Sequence, residues 1–152
     1  IFVTDLWDVT SYSGISEVDN NGLELELTYA MDNGLYVDLN AAYGDYESLS
    51  SAGVTADWNN APANSARLTV GKRIGDAWDL SWEQVMAENG NRNQGGYGVS
   101  HLRATYRPQS GVLEGTEVRL GIENAFDRQY KPNLATEYAT GRNFKLTLAK
   151  TF

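Results

Sequence analysis

The chain has 152 residues, a formal net charge of −8 and no cysteine. That acidity opposes a polyphosphate partner, which recruits clustered Lys and Arg, so nucleic acid is excluded as a ligand; the missing thiols exclude disulfide frameworks and thiolate metal sites. No apolar run nears the ~18 residues of a membrane-spanning helix, yet a mean hydropathy of −0.44 with fifteen Gly, nine Tyr and four Trp suits a barrel wall whose strands are apolar at alternate positions only.

The chain opens at Ile1 with neither initiator Met nor a basic and apolar leader, and so reads as a mature chain or a piece of one. Its first segment, Ile1 to Tyr12, is β-rich but poorly patterned. Leu23, Leu25, Leu27 and Tyr29 then alternate with Glu24, Glu26, Thr28 and Ala30, the period of a strand with one apolar face. Asp32-Asn33-Gly34 supplies the positive-φ positions of a tight hairpin turn, after which Leu35, Val37, Leu39, Ala41 and Tyr43 resume the apolar row opposite Tyr36, Asp38 and Asn40.

Residues 48–65, rich in Ser, Ala, Asn and Gly, read as a long loop. Leu68, Val70 and Ile74 follow as a row against Arg67, Thr69, Gly71 and Arg73, with Lys72 the one charge on the apolar side. The short turn Gly75-Asp76-Ala77 leads to Trp78, Leu80, Trp82 and Met86, alternating with Asp79, Ser81 and Glu83. Residues 88–98 read as a second polar, Gly-rich loop. Leu102, Ala104 and Tyr106 oppose His101, Arg103, Thr105 and Arg107, and Pro108 ends that strand where a missing donor is tolerated. After a turn near Ser110, Val118, Leu120 and Ile122 face away from Arg119 and Glu123. Residues 131–141 form a loop, and Phe144, Leu146 and Leu148 alternate with Lys145, Thr147 and Ala149 in the closing strand, which ends on Phe152.

Counting the first segment, this gives eight strands whose connections alternate long and short, the arrangement of outer-membrane barrels with short periplasmic turns and longer outer loops. The expected fold is an all-β antiparallel transmembrane barrel segment. Glu24, Glu26, Asp38, Arg67, Arg73, Glu83, His101, Arg103, Arg119, Glu123 and Lys145 are expected to line its lumen, since a midplane charge facing lipid costs on the order of 2–4 kcal/mol. Trp78, Tyr106, Phe126, Tyr130 and Phe152, near strand ends, are expected in interfacial girdles.

The segment GIENAFDRQY, residues 121–130, resembles the Glu-Asn-Leu-Phe-Asp box near the end of TonB-dependent outer-membrane receptors, with Ala125 in place of Leu, and GRNFKLTLAKTF resembles their closing strand. Phe2 to Tyr12 followed by Gly22-Leu23-Glu24-Leu25-Glu26 is similar to an irregular strand, a loop and a Gly-Val-Glu-like strand of the same family. The resemblance implies that residues 1–152 are the last eight strands of a 22-stranded barrel in the Gram-negative outer membrane, without the plug domain and the earlier strands. It implies partners: membrane lipid and lipopolysaccharide, the rest of the receptor, and the TonB complex acting through the plug. It also implies uptake of an iron compound, haem or a ferric siderophore, as the transported ligand, with no cofactor resident in this segment. The ending LTLAKTF looks most like receptors for haem or haem-carrying proteins. Pro132-Asn133-Leu134 echoes the letters of their ligand box without a neighbouring His, and His101 reads as a wall residue. Phe152 falls at the family's assembly signal.

At the loop mouth, Trp58, Asn59, Asn60, Arg92, Asn93, Tyr97, Tyr138 and Arg142 offer stacking surfaces and donors for a ligand. Catalysis is not expected: Ser100 and His101 are adjacent on a strand and so point to opposite faces. Asp45, Glu47 and Asp57 lack the compact ligand series of a calcium loop, and Gly95, Gly96 and Gly98 precede no helix that could hold a phosphate. Two other readings fit the alternation: a complete eight-stranded barrel acting as anchor or adhesin, and a soluble β-sandwich.

Overall fold

The computed structural model describes residues 2–3, 12–13, 15–50, 53, 55–57, 61–90 and 95–151. They form the strands β1 (Phe2–Val3), β2 (Tyr12–Ser13), β3 (Ile15–Ala30), β4 (Leu35–Ser50), β5 (Thr55–Asp57), β6 (Ser65–Ile74), β7 (Trp78–Ala87), β8 (Tyr97–Tyr106), β9 (Thr116–Glu123) and β10 (Asn143–Lys150). Seven of these make one antiparallel meander in the order β10-β9-β8-β7-β6-β4-β3, with β5 beside the far end of β4. Among the described residues β1 and β2 pair with each other and with no other strand, and the rest of the expected first strand lies outside the described residues. The sheet does not close: among the described residues, β3 and β10 remain its edges.

Its register sorts the side chains into two surfaces. Tyr29 faces Val37, Val37 faces Val70, Val70 faces Trp82, Trp82 faces Leu102, Leu102 faces Ile122 and Ile122 faces Phe144, one apolar ladder across the sheet. A ladder of this kind would form half the core of a sandwich. Here it stands uncovered: Leu23 is 71 % exposed, Leu146 64 % and Phe144 70 %, and the only buried hydrophobic residues among those described are Ala61 and Val99. A continuous apolar surface of this extent marks a place where a non-aqueous neighbour belongs, and among the described residues no second sheet packs on it as a sandwich would require.

The short connections at residues 31–34, 75–77 and 107–115 lie at one end of the meander, and the strand ends that precede 51–64, 88–96 and 124–142 lie at the other. In the first hairpin only Gly34 takes positive φ, at 84°, where the expectation gave Asn33 such a conformation as well. The turn is closed instead by Gly34 N–H donating to Met31 O and Met31 N–H donating to Leu35 O, and Asn33 Oδ1 accepts from the Leu35 amide at 2.9 Å. β3 and β4 each run sixteen residues, well past the apolar band that starts at Leu23. Beyond it polar residues predominate on both faces of the hairpin, so alternation disappears while the antiparallel pairing of Asp19 with Glu47 and of Asn21 with Asp45 persists. The loop expected at 48–65 likewise contains β5, paired with β4 from Glu47 to Leu49.

Candidate functional site

The surface opposite the leucines carries the charges. Register places Glu24 and Glu26 of β3, Asp38 of β4, Arg67 and Arg73 of β6, Glu83 of β7, His101 and Arg103 of β8, Arg119 and Glu123 of β9 and Lys145 of β10 on it together. Among the described residues, four ionic groups divide this surface. Glu83, the most enclosed carboxylate at 8 % side-chain exposure, meets Arg103 at 3.1 Å and Arg67 at 3.6 Å. Glu117 accepts from Arg107 at 2.6 Å and also binds Arg119. Lys145 reaches Glu123 at 2.6 Å. Arg73 stands 3.6 Å from Asp79 and 5.1 Å above the Tyr36 ring, whose hydroxyl donates to Asp79 at 2.8 Å. No ion pair among the described residues involves Glu24, Glu26 or Asp38.

Tyr36 occupies space that a side chain would otherwise take. It lies directly opposite Gly71, and a Cβ there would overlap its ring. Glycine is needed at this point because the ring lies flat across β6 on its way to Asp79.

At the long-loop end, residues 124–142 fold back on the sheet. Asn124 is buried at 3 % exposure with φ 49°, a left-handed conformation that Asn tolerates better than most residues. Its Oδ1 accepts from the Arg128 amide at 2.8 Å, and its Nδ2 donates to Arg128 O at 2.8 Å and Thr140 O at 3.2 Å. Its own amide donates to His101 Nδ1 at 3.3 Å. Asp127, also left-handed at φ 55°, accepts from the Arg142 amide at 2.8 Å. The box that marks the sequence is therefore a pair of clamps holding the start of β10 against the end of β9. Farther along, Lys131 sits 5.0 Å above the Tyr138 ring, and the Asn133 Oδ1 is enclosed with no hydrogen-bond partner.

Of the residues expected at the loop mouth, Tyr97 is the first residue of β8, not a loop residue. Its ring packs on Tyr130, with centroids 4.5 Å apart. That contact removes Tyr130 from the expected aromatic girdle, because the register puts Tyr97 on the charged face. Burial first, and then Tyr97 and the Glu123 carboxylate, push the Tyr130 phenol above its ordinary range. Tyr138 is 59 % exposed, and Arg142 is exposed with its amide tied to Asp127. Trp58, Asn59, Asn60, Arg92, Asn93 and Phe152 lie outside the described residues. Trp78 and Tyr106 stack at 4.4 Å at the short-turn end of the apolar face, while Phe126 is 79 % exposed on the loop. Ser100 and His101 do turn apart: Ser100 Oγ donates to Gln84 Oε1 on the apolar face, and His101 meets Asn124, so no nucleophile and base are joined.

The chain is 24 % identical over 155 residues to the heme/hemopexin utilization protein C of Haemophilus influenzae strain Rd, and 26 % identical over 153 residues to the protein of that name from strain 86-028NP. Each alignment covers 94 % of this chain. The chain spans about a fifth of the length of these relatives. Neither bears the name of an enzyme, in keeping with the separation of Ser100 from His101. No protein-family model matches the chain, and no solved structure matches it significantly. Sequence reasoning missed the clamping roles of Asn124 and Asp127 and the filling of Gly71 by Tyr36. The first two stood within the box that carried the resemblance; the third had no signal beyond a Gly inside a strand.

Proposed function

We propose that this chain forms part of the wall of an outer-membrane β-barrel that takes up haem iron in a TonB-dependent manner. The observation that carries the reading is the uncovered leucine ladder backed by a paired ionic surface, a division that suits lipid on one side and a watery lumen on the other. The likeness to two haem utilization proteins supports haem as the cargo. That β3 and β10 remain edges among the described residues suits the wall of a larger barrel better than a small closed one.

In this reading the short turns face the periplasm and the long connections face outward. Tyr97, Tyr138 and Arg142, with Trp58, Asn59, Asn60, Arg92 and Asn93, contribute stacking surfaces and donors at the mouth, and the ionic groups of the polar face line the path inward. The plug, TonB and any haem-carrying protein act through the rest of the receptor, and Phe152 serves insertion. A test is growth of a haem-requiring Gram-negative host, lacking its own haem receptors, with the full-length protein. Growth on haem that disappears when TonB is deleted supports the proposal. Growth independent of TonB, or none on haem despite the protein reaching the outer membrane, refutes it.

A further inference from the structure

Lys72 is a charge on the wrong face. Register sets it in a cross-strand row with Leu35, Leu80, Ala104 and Leu120, one step inward from Ile74, Trp78 and Tyr106 at the short-turn end. Two residues of strand are about 6–7 Å, within a lysine's reach, and its ammonium duly turns toward that end to donate to Asn33 O. Among the described residues it forms no ion pair. Its hydrogen-bond partner is a neutral carbonyl, so a cation stands at the edge of the apolar band without a counter-charge.

Next to it runs a groove of about 530 Å³ bordered by Leu35, Val70, Leu80, Trp82, Leu102 and Ile122. Ala104, between Leu80 and Leu120, is the small residue that leaves the hollow. Arg103 borders the groove too, but its guanidinium is on the opposite surface with Glu83, leaving Lys72 the one cation at the groove among the described residues. An extended peptide laid here would lose hydration of its amides and find no backbone partners, at several kcal/mol per group; an acyl chain has no such groups. The Trp78–Tyr106 stack supplies amphipathic rings at the level where glycerol and phosphate would sit.

We infer that this groove is a binding site for an anionic glycerophospholipid of the periplasmic leaflet, its acyl chain over Ala104 and its phosphate on Lys72. The inference rests on the barrel reading above. The test uses the full-length protein, delipidated in detergent and probed by native mass spectrometry with dioleoyl phosphatidylglycerol and, separately, dioleoyl phosphatidylcholine. Wild type should retain phosphatidylglycerol in preference. Lys72→Gln should weaken that retention about fivefold, as one lost cation near an anionic headgroup implies, and Ala104→Leu should weaken it with Lys72 intact. Heat-modifiable gel mobility confirms that each variant is folded. Equal retention of both lipids, or retention unmoved by both substitutions in folded protein, overturns the site while leaving the barrel standing. A protein that stays in aqueous solution without detergent overturns the barrel and the site together.

Discussion

Asp127 and Arg142 are joined across the long connection by a single oxygen: Asp127 Oδ1 accepts the Arg142 amide at 2.8 Å, and the same oxygen lies 2.7 Å from where a Cβ on Gly141 would stand. The box residue and the glycine two residues before β10 are thus one device. Asp127→Ala leaves that amide unpaired, and a hydrogen bond to a charged acceptor contributes about 1.5 kcal/mol or more, so the loop should open about tenfold more often. Gly141→Ala should act in the same direction by pushing the carboxylate away. Limited proteolysis within residues 128–141 of the full-length protein reads this directly. Asp127→Asn keeps an oxygen acceptor and tolerates left-handed φ, so equal cleavage of the Ala and Asn variants would contradict the clamp.

Asn124 carries more. Replacing it with Ala removes the acceptor for Arg128 and the donor to two carbonyls and forces a Cβ residue without a local partner to hold φ 49°. The combined loss should reach about 2–4 kcal/mol. Urea unfolding in detergent should show it as a lower midpoint with the slope unchanged. Asn124→Gly, which relieves only the backbone part, should recover less than half of the loss; full recovery would mean that the side-chain bonds contribute little.

How much of the fold is legible in the sequence follows the physics of alternation. Where one face is apolar and the other charged, as from Leu23 to Tyr29 or from Leu68 to Ile74, the period of two sorts the side chains onto the same two faces as the register does. Where both faces are mostly polar, the pattern vanishes although pairing goes on, which is why the end of β4 and the short β5 read as loop. Tyr97 reads as loop for a related reason: glycines at 95, 96 and 98 mimic a connection while Tyr97 already faces Ala87 in the ladder. The Tyr36–Gly71–Asp79 arrangement depends on cross-strand register, and no single strand contains it.

Gly71→Ala should test that arrangement. The new methyl would overlap the Tyr36 ring, displacing it from Asp79 and from beneath Arg73, at a cost of about 1–3 kcal/mol for overpacking. A second change, Tyr36→Ser, should recover most of the stability in the Gly71→Ala background while costing stability in wild type. Thermal loss of the folded gel band, followed in all four combinations, measures the coupling; simple additivity would show that the ring and the glycine do not depend on each other.

The two arginines on Glu83 should contribute unequally. Arg103 stands at 3.1 Å with 47 % side-chain exposure, Arg67 at 3.6 Å with 57 %, so solvent screens the second more. Arg103→Gln should cost about 1 kcal/mol and Arg67→Gln roughly half that, whereas Glu83→Ala, which leaves two like charges facing each other, should cost about 2 kcal/mol. High salt should narrow these differences. If Arg67→Gln costs more than Arg103→Gln, the shorter contact between Arg103 and Glu83 is not the one that stabilises the sheet.

Tyr130 gives the loop a dependence on alkaline pH. Burial, then Tyr97, then Glu123 raise its pKa, so the folded loop favours the neutral phenol. A group raised in this way contributes its full stability below the unfolded phenol value near 10, and that contribution is lost as pH climbs through the higher folded value. Proteolytic opening of residues 128–141 should therefore stay flat at neutral pH and rise only above about 10. Tyr130→Phe keeps the ring on Tyr97 and cannot ionise, so it should abolish the rise. Glu123→Gln, by removing a negative neighbour, should shift the phenolate absorbance step to lower pH, though less than loss of the enclosure would. An identical alkaline rise in Tyr130→Phe would assign the opening to another group and leave Tyr130 without influence on the loop.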